Sequence, residues 1–151
     1  MIRNKITKKR LDKGPIAIIE CPEKIPCNPC VNSCPKGAIV IEDSLIEIPK
    51  IDYEKCVGCF LCIPKCPGLA IFGVHYNYTK KESLLFLPYE FLPRPKKGDI
   101  LWGLDRNGKK VCKVTVEKVI ENPNFNRCAI IQIRVKKKYF DKIQMISYEK
   151  K

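Results

Sequence analysis

The sequence lacks any long hydrophobic run. No apolar stretch in its 151 residues approaches the roughly 18 consecutive residues that a membrane-spanning helix requires. Residues 1–20 also lack the apolar segment and the small-residue cleavage site of a secretory signal. We therefore expect a chain with no membrane span, located in the cytoplasm, where cysteine thiols stay reduced.

Histidine and tryptophan are nearly absent. The one histidine, His75, stands in a polar stretch without an evident nucleophile or acid–base partner, and the one tryptophan is Trp102. We interpret His75 as a surface residue of a connector and Trp102 as a core or interface aromatic. No catalytic residue is predicted, so catalysis by this chain alone is not expected.

Cysteine, in contrast, is abundant, and eight of the ten cysteines fall in two short runs. The second run has the C-x2-C-x2-C-x3-C-P spacing that is typical of iron–sulfur ligands; it consists of Cys56, Cys59, Cys62, Cys66 and Pro67. Three thiolates at this spacing wrap one cubane cluster, while the fourth thiolate points to another cluster. A partner motif is therefore expected elsewhere in the chain.

The first run supplies that partner motif. Three of its cysteines recur 32 residues later: Cys27, Cys30 and Cys34 correspond to Cys59, Cys62 and Cys66. Such a constant offset indicates an internal duplication. Cys21 breaks the register, because the counterpart of Cys56 would be residue 24, where Lys24 stands.

The spacing rule predicts two 4Fe-4S clusters with crossed ligands. We assign cluster one to Cys21, Cys27, Cys30 and Cys66, and cluster two to Cys34, Cys56, Cys59 and Cys62. Cys21 must reach cluster one through a longer loop. If Cys21 did not reach, three ligands would remain, and the site could hold a 3Fe-4S cluster or an exchangeable iron.

Two other uses of these cysteines fit the spacing less well. Zinc prefers four ligands that close one tetrahedron, usually as two separated C-x2-C pairs, whereas each run here ends in Cys-Pro. Disulfides are typical of small secreted chains, and residues 1–20 contain no secretory signal.

Cys112 and Cys128 lie outside both runs, and we predict that they are small buried hydrophobic residues and not ligands.

The composition divides the chain into three parts. Residues 1–14 form a basic arm that we expect to be solvated. Residues 15–82 hold both cysteine runs, and residues 83–151 hold five strand candidates separated by turn signals. We predict an α+β fold, with a ferredoxin-like βαβ duplication that binds two iron–sulfur clusters at 15–82. A small all-β, barrel-like domain for docking follows at 83–151.

The local patterns predict individual elements. Strand candidates are residues 15–20, 37–41, 45–48, 51–53, 69–72, 84–87, 99–104, 111–120, 129–135 and 143–148, with a short helix over 59–65. Asn107-Gly108 predicts a hairpin turn. Gly58, inside the second ligand loop, is expected to adopt a positive φ, because such loops aim backbone N–H groups at an anionic cluster.

The chain is strongly basic, with a formal net charge of +13. Two 4Fe-4S clusters with their thiolates carry about −2 each, which would leave roughly +9. A basic surface of this kind favours docking to more acidic partner subunits.

Several stretches resemble a known family. The segments ECPEKIPCNPC (20–30), KCVGC (55–59) and CPGLAIF (66–72) resemble the two-cluster ferredoxin-like subunit of multi-subunit, flavin-dependent amino-acid dehydrogenases. These are the dye-linked complexes of the proline, hydroxyproline and sarcosine type. The likeness extends to PKKGD (95–99) and LDRNGK (104–109), and thus covers most of residues 15–148. The early position of Cys21 fits that family's pattern.

The resemblance implies an electron-transfer subunit within a hetero-oligomer. A flavin-containing subunit, with FAD or FMN bound there and not on this chain, would oxidise an amino acid, and this chain would relay single electrons to an acceptor. Two rival interpretations stay open. One is a free, soluble two-cluster ferredoxin that shuttles electrons between oxidoreductases. The other is a nucleic-acid-binding iron–sulfur protein, but no stacking platform of aromatic residues is readable from the sequence, so no nucleic acid partner is expected.

Overall fold

The computed structural model describes residues 6–20, 29–42, 47–67, 69–125 and 128–150. Within this part the fold is α+β and rich in sheet, as the sequence predicted. The helices are α1 (Lys8–Asp12) and α2 (Pro29–Ser33), and the strands are β1 (Ile16–Ile19), β2 (Ile39–Val40), β3 (Lys50–Ile51), β4 (Ile71–His75), β5 (Glu82–Tyr89), β6 (Ile100–Leu104), β7 (Lys110–Ile120), β8 (Ala129–Lys136) and β9 (Met145–Lys150).

Seven of these strands form one antiparallel sheet in the order β1-β4-β5-β8-β7-β6-β9. All seven strands supply buried side chains to the same hydrophobic core; examples are Ile16, Val74, Leu85, Ile131, Val116, Leu101 and Ile146. Because strands at both ends of the order contribute to one core, the sheet curves around that core. The sheet therefore contains the five strands predicted after residue 82 together with β1 and β4.

Backbone pairing crosses the boundary that the sequence analysis placed at residue 82. Strand β4 pairs with β5 through Gly73 and Phe86, Val74 and Leu85, and His75 and Leu84. This pairing satisfies backbone groups on one edge of β4 that would otherwise be unpaired. The part that holds the cysteine runs and the part that follows it therefore share one sheet.

The outer face of the same sheet carries a second hydrophobic core. From the strands come Ala17, Ile19, Ile71, Leu84, Phe86 and Ile130, and from the ligand loops and short elements come Cys30, Ile39, Phe60, Cys62 and Ile63. The regular sheet thus forms the floor on which the irregular cysteine loops lie. Burial of this apolar surface positions the loops.

The predicted strands in the second half are confirmed, but three predictions in the first half need correction. Strand β2 pairs with β3, through Ile39 with Ile51 and Val40 with Lys50. Residues 47 and 48 are not in a strand, and 43–46 lie outside the described residues. Ile51 reaches the second core, which gives this register its apolar contact.

The predicted helix over 59–65 is also wrong in length. Only a 3-10 turn at Ile63–Lys65 forms. Phe60 has a positive φ of 62°, which is incompatible with a right-handed helix. Pro64 has no N–H to donate to a longer helix.

The basic arm is not solvated in its described part. Helix α1 buries Leu11 at 5% exposure and Arg10 at 8%, and Ile6 belongs to the main core. The Thr7 side chain caps the helix by accepting a hydrogen bond from the Arg10 backbone N–H at 3.2 Å. A helix this short gains its stability from tertiary packing, which the charge pattern of residues 1–14 does not reveal.

None of the helices in the described residues is both long and apolar enough to cross a membrane.

Candidate iron–sulfur centre

The four cysteines assigned to cluster two line one cavity. Cys34 comes from the first run, and Cys56, Cys59 and Cys62 come from the second. The remaining wall is mainly apolar and includes Ala17, Ala38, Ile39, Ile51, Val57 and Phe60, with Lys36 beside them. A cysteine from the other run therefore joins the three closely spaced ones.

The electrostatics of Cys62 reflect the same convergence. Burial, then the nearby thiols of Cys56 and Cys59, and to a smaller degree Cys34, raise the pKa of the Cys62 thiol to about 12. A thiol must lose its proton to bind a metal. The cavity therefore favours an occupant whose positive charge compensates the negative charge of several thiolates together.

The four thiols of this cavity are not placed around a single metal ion. A zinc site requires sulfurs about 2.3 Å from one metal, yet no three histidine, cysteine or acidic side chains in the described residues are placed to hold a single metal ion. The thiols of Cys34, Cys56, Cys59 and Cys62 instead surround a shared space. Soft thiolates around an apolar cavity match the ligand chemistry of iron–sulfur clusters.

Backbone N–H groups point at three of the predicted ligand sulfurs. Ala38 donates to Cys34 Sγ at 3.3 Å and Ala70 donates to Cys66 Sγ at 3.4 Å, so the two halves repeat this contact at the 32-residue offset. Ala17 of β1 donates to Cys56 Sγ at 3.4 Å. Such donors stabilise negative charge on sulfur and are one of the features that set cluster potentials.

Gly58 adopts the positive φ that the sequence predicted, at 72°. A Cβ atom at this position would lie 2.6 Å from Pro15 Cβ and 2.8 Å from the Pro15 carbonyl oxygen. Glycine is therefore required both by the backbone conformation and by the close approach of the segment that leads into β1.

We expect Gly58→Ala to destabilise the protein by roughly 3 kcal/mol, about 1 from the left-handed backbone and the rest from overlap with Pro15. The matched control is Gly108→Ala. Gly108 has a similar φ of 81° but open space around it, so Gly108→Ala should lower the stability by only about 1 kcal/mol. Thermal unfolding of the two variants measures the difference, and equal losses would show that the contact with Pro15 is unimportant.

The cluster one ligands are only partly described. Cys30 in α2 is buried at 7% exposure and Cys66 is half-buried, and both contribute to the second core. Cys21 and Cys27 lie outside the described residues. The ligand set of cluster one therefore stays a prediction.

One residue beside the site was missed by sequence reasoning. The guanidinium of Arg10 donates hydrogen bonds to the carbonyls of Tyr53 at 2.7 Å and Cys56 at 3.0 Å. The sequence places Arg10 in a solvated arm because six lysines and arginines occur within residues 1–14. The spacing of Ile6 and Leu11 on either side of it was the only available signal of packing.

The residues outside the site agree with their predicted roles only in part, because His75 is the last residue of β4 and not part of a connector. Cys128 is buried at 2% exposure, as predicted, whereas Cys112 is only half-buried. His75 lies edge-on to Tyr78 at 5.9 Å between ring centroids. Trp102 is half-buried on β6, with the ammonium groups of Lys110 and Lys113 at 5.3 and 5.7 Å from its ring centroid.

Comparison with known proteins bears on the same segment. Residues 25–70 match the profile of the 4Fe-4S dicluster domain. The chain is similar to a selenate reductase subunit of Mesobacillus selenatarsenatis, at 48% identity over 71 residues, which are 46% of this chain and 23% of that protein. It is also similar to pyruvate synthase subunit PorD of Methanocaldococcus jannaschii, at 41% identity over 54 residues, or 36% of this chain and 60% of that protein.

A longer but weaker similarity extends beyond the cysteine runs. Protein Pixie of Drosophila melanogaster is 28% identical over 130 residues, which cover 76% of this chain and 21% of that protein. The chain thus spans between about a fifth and three fifths of the length of these three relatives. No solved structure shows a significant match. Residues 25–70 are therefore similar to a 4Fe-4S dicluster domain, and this segment contains the four cysteines that line the cavity.

Proposed function

We propose that this chain is an electron-transfer subunit that carries two 4Fe-4S clusters in a ferredoxin-like duplication. The observation that carries the proposal is the cavity in which Cys34 of the first run joins Cys56, Cys59 and Cys62 of the second. Crossed ligands are the signature of two-cluster ferredoxins. The element order agrees with a duplication, because β1, α2 and β2 are followed by β3, a 3-10 turn and β4.

The residues of this chain have distinct roles in the proposal. When bound, a 4Fe-4S cluster accepts and releases one electron at a time. Four thiolates hold each cluster, with Cys21, Cys27, Cys30 and Cys66 at cluster one. The Ala17 and Ala38 N–H groups offset negative charge on the sulfurs of cluster two, and the buried side chains of Ile39 and Phe60 exclude water from its inner side.

We further propose that the electron donor is a flavin-containing amino-acid dehydrogenase subunit. The support for this donor is the family resemblance of residues 15–148. Two relatives that are named as subunits of a selenate reductase and a pyruvate synthase support only the more general role of an oxidoreductase subunit. FAD or FMN would be bound by the partner, in a hetero-oligomer. A flavin holds an electron pair, and two clusters in one chain can accept the two electrons in sequence.

In this proposal, residues 83–151 dock the chain onto its partner. The basic outer surface around Trp102 supports the idea. Lys113 is the cross-strand neighbour of Trp102 on β7, and Lys110 lies over the same ring. Tryptophan is enriched in protein interfaces, and a basic surface is complementary to an acidic partner.

We expect the double variant Lys110→Glu and Lys113→Glu to weaken partner binding at least tenfold, because two attractive charges become repulsive. Its iron content should stay that of the native protein. The matched control is Lys8→Glu with Lys9→Glu, two exposed lysines of α1. Partner retention during affinity purification measures both, and equal losses in the two variants would contradict a specific docking surface.

Purification of the endogenous protein tests the proposed partnership. Size-exclusion chromatography followed by mass spectrometry should recover flavin-containing chains together with this one. A lone monomer that carries both clusters would instead favour the diffusing ferredoxin. Salt-dependent binding of single-stranded DNA is the corresponding test for the nucleic-acid interpretation, and we expect binding to be weak.

A further inference from the structure

Arg10 is a buried cation directly beneath the cluster two ligand loop. Its residue exposure is 8%. Its Nε donates to the Tyr53 carbonyl at 2.7 Å, and Nη2 donates to the carbonyls of Cys56 at 3.0 Å and Pro15 at 3.3 Å. Nη1 donates to the Gly14 carbonyl at 3.3 Å. One guanidinium therefore joins the end of α1, the start of β1 and the ligand loop.

Within the described residues, this charge is not matched by a carboxylate. Its hydrogen bonds end on neutral carbonyl groups, and the ion pairs among described residues involve other cations, such as Lys13 with Glu54 at 3.1 Å. A buried cation without a counter-charge is energetically unfavourable. Glu54 lines the same surface hollow as Arg10 but pairs with Lys13, so the charge of Arg10 favours a further anion nearby.

We propose that Arg10 is the counter-charge and the positioning residue of cluster two, an inference that rests on the function proposed above. The Cys56 carbonyl bound by Arg10 belongs to a ligand residue. A 4Fe-4S cluster with four thiolates carries about −2, and reduction adds one more negative charge. A nearby cation stabilises the reduced form more than the oxidised form, so Arg10 raises the reduction potential of cluster two.

The positioning role follows from the contacts around the same loop. Pro15, whose carbonyl accepts from Arg10, limits the space at Gly58. Ala17, which lies in β1 two residues after Pro15, donates a hydrogen bond to Cys56 Sγ. Arg10 thus fixes the segment that both restricts the loop and donates a hydrogen bond to its first ligand.

The experiment compares three variants of the full chain in its cluster-loaded form. Arg10→Gln removes the charge and retains a hydrogen-bond donor. Arg10→Lys retains the charge and loses the planar fork. Lys13→Gln is the matched control, because Lys13 lines the same surface hollow as Arg10 but has a half-exposed side chain paired with Glu54. Redox titration followed by EPR gives the potential of each cluster, and iron analysis gives occupancy.

In Arg10→Gln, we expect the equilibrium of cluster two to shift about tenfold toward the oxidised form, which for one electron is a potential lower by about 59 mV. Arg10→Lys and Lys13→Gln should each shift it less than threefold, and cluster one should not change in any variant. If Arg10→Gln instead loses the iron of cluster two while Arg10→Lys keeps it, the charge is needed for assembly, which also supports the proposal.

Two results would overturn the inference. An Arg10→Gln protein with native iron content and native potentials would show that the charge has no influence on cluster two. Equal potential shifts in Arg10→Gln and Arg10→Lys would show that geometry, and not charge, is responsible. Failure of the proposed function is distinguishable from both, because the unsubstituted protein would then show no cluster signal that disappears in Cys34→Ser.

Discussion

Replacing Cys34 with serine should remove the cluster bound by the second cysteine run, although Cys34 belongs to the first. About half of the iron and acid-labile sulfide should be lost, because a site with three thiolates and one alcohol holds a cubane poorly. The reason is the shared cavity of Cys34 with Cys56, Cys59 and Cys62. Iron and sulfide analysis, with EPR of the reduced protein, measures the loss.

The reciprocal variant and a neutral control sharpen this prediction. Cys66→Ser should remove the other cluster and leave the EPR signal of cluster two in place. Cys128→Ala should leave the iron content unchanged, because Cys128, which is buried at 2% exposure directly before β8, is not a predicted ligand. If each serine variant lost the cluster of its own run, the crossed arrangement would be wrong.

Replacing Phe60 with alanine should lower the stability by about 3 kcal/mol or more, the usual cost of deleting a buried phenylalanine ring. The ring lies 4.1 Å from that of Phe86, measured between centroids, and a Cβ at Gly73 would be 2.5 Å from it. Phe60 therefore connects the loop between Cys59 and Cys62 to β4 and β5. For a chain of this size, the loss corresponds to a decrease of roughly 6 °C or more in unfolding temperature.

Thermal unfolding of the cluster-loaded protein, followed by visible absorbance and by circular dichroism, measures this effect. The matched control is Phe91→Ala, because Phe91 is 69% exposed and its removal should change the unfolding temperature by less than about 2 °C. Similar decreases in the two variants would contradict the view that Phe60 fixes the loop to the sheet.

The second half of the chain was predictable because its patterns are local. Alternating strands on either side of Asn107-Gly108 predicted the hairpin that β6 and β7 form, and Gly108 has the positive φ of 81° that such a turn favours. The spacing of the cysteines predicts one ligand set of Cys34, Cys56, Cys59 and Cys62, and these four residues line one cavity; that they bind a cluster stays a prediction.

Features that depend on distant contacts were not predictable. The pairing of β4 with β5 links residues on both sides of the predicted boundary at 82. The local sequence of neither strand indicates which strand pairs with it. Arg10 is one of many charges in a basic arm, whereas its burial depends on carbonyl groups more than 40 positions away, at Tyr53 and Cys56. Phe60 has an unusual left-handed backbone that its residue type disfavours.

The most direct test of the central claim is a count of iron and acid-labile sulfide in the protein purified without oxygen. Two 4Fe-4S clusters predict about eight of each per chain. About four of each would contradict the proposal of two cubane clusters, and would leave Cys34, Cys56, Cys59 and Cys62 as the one site that the described geometry supports.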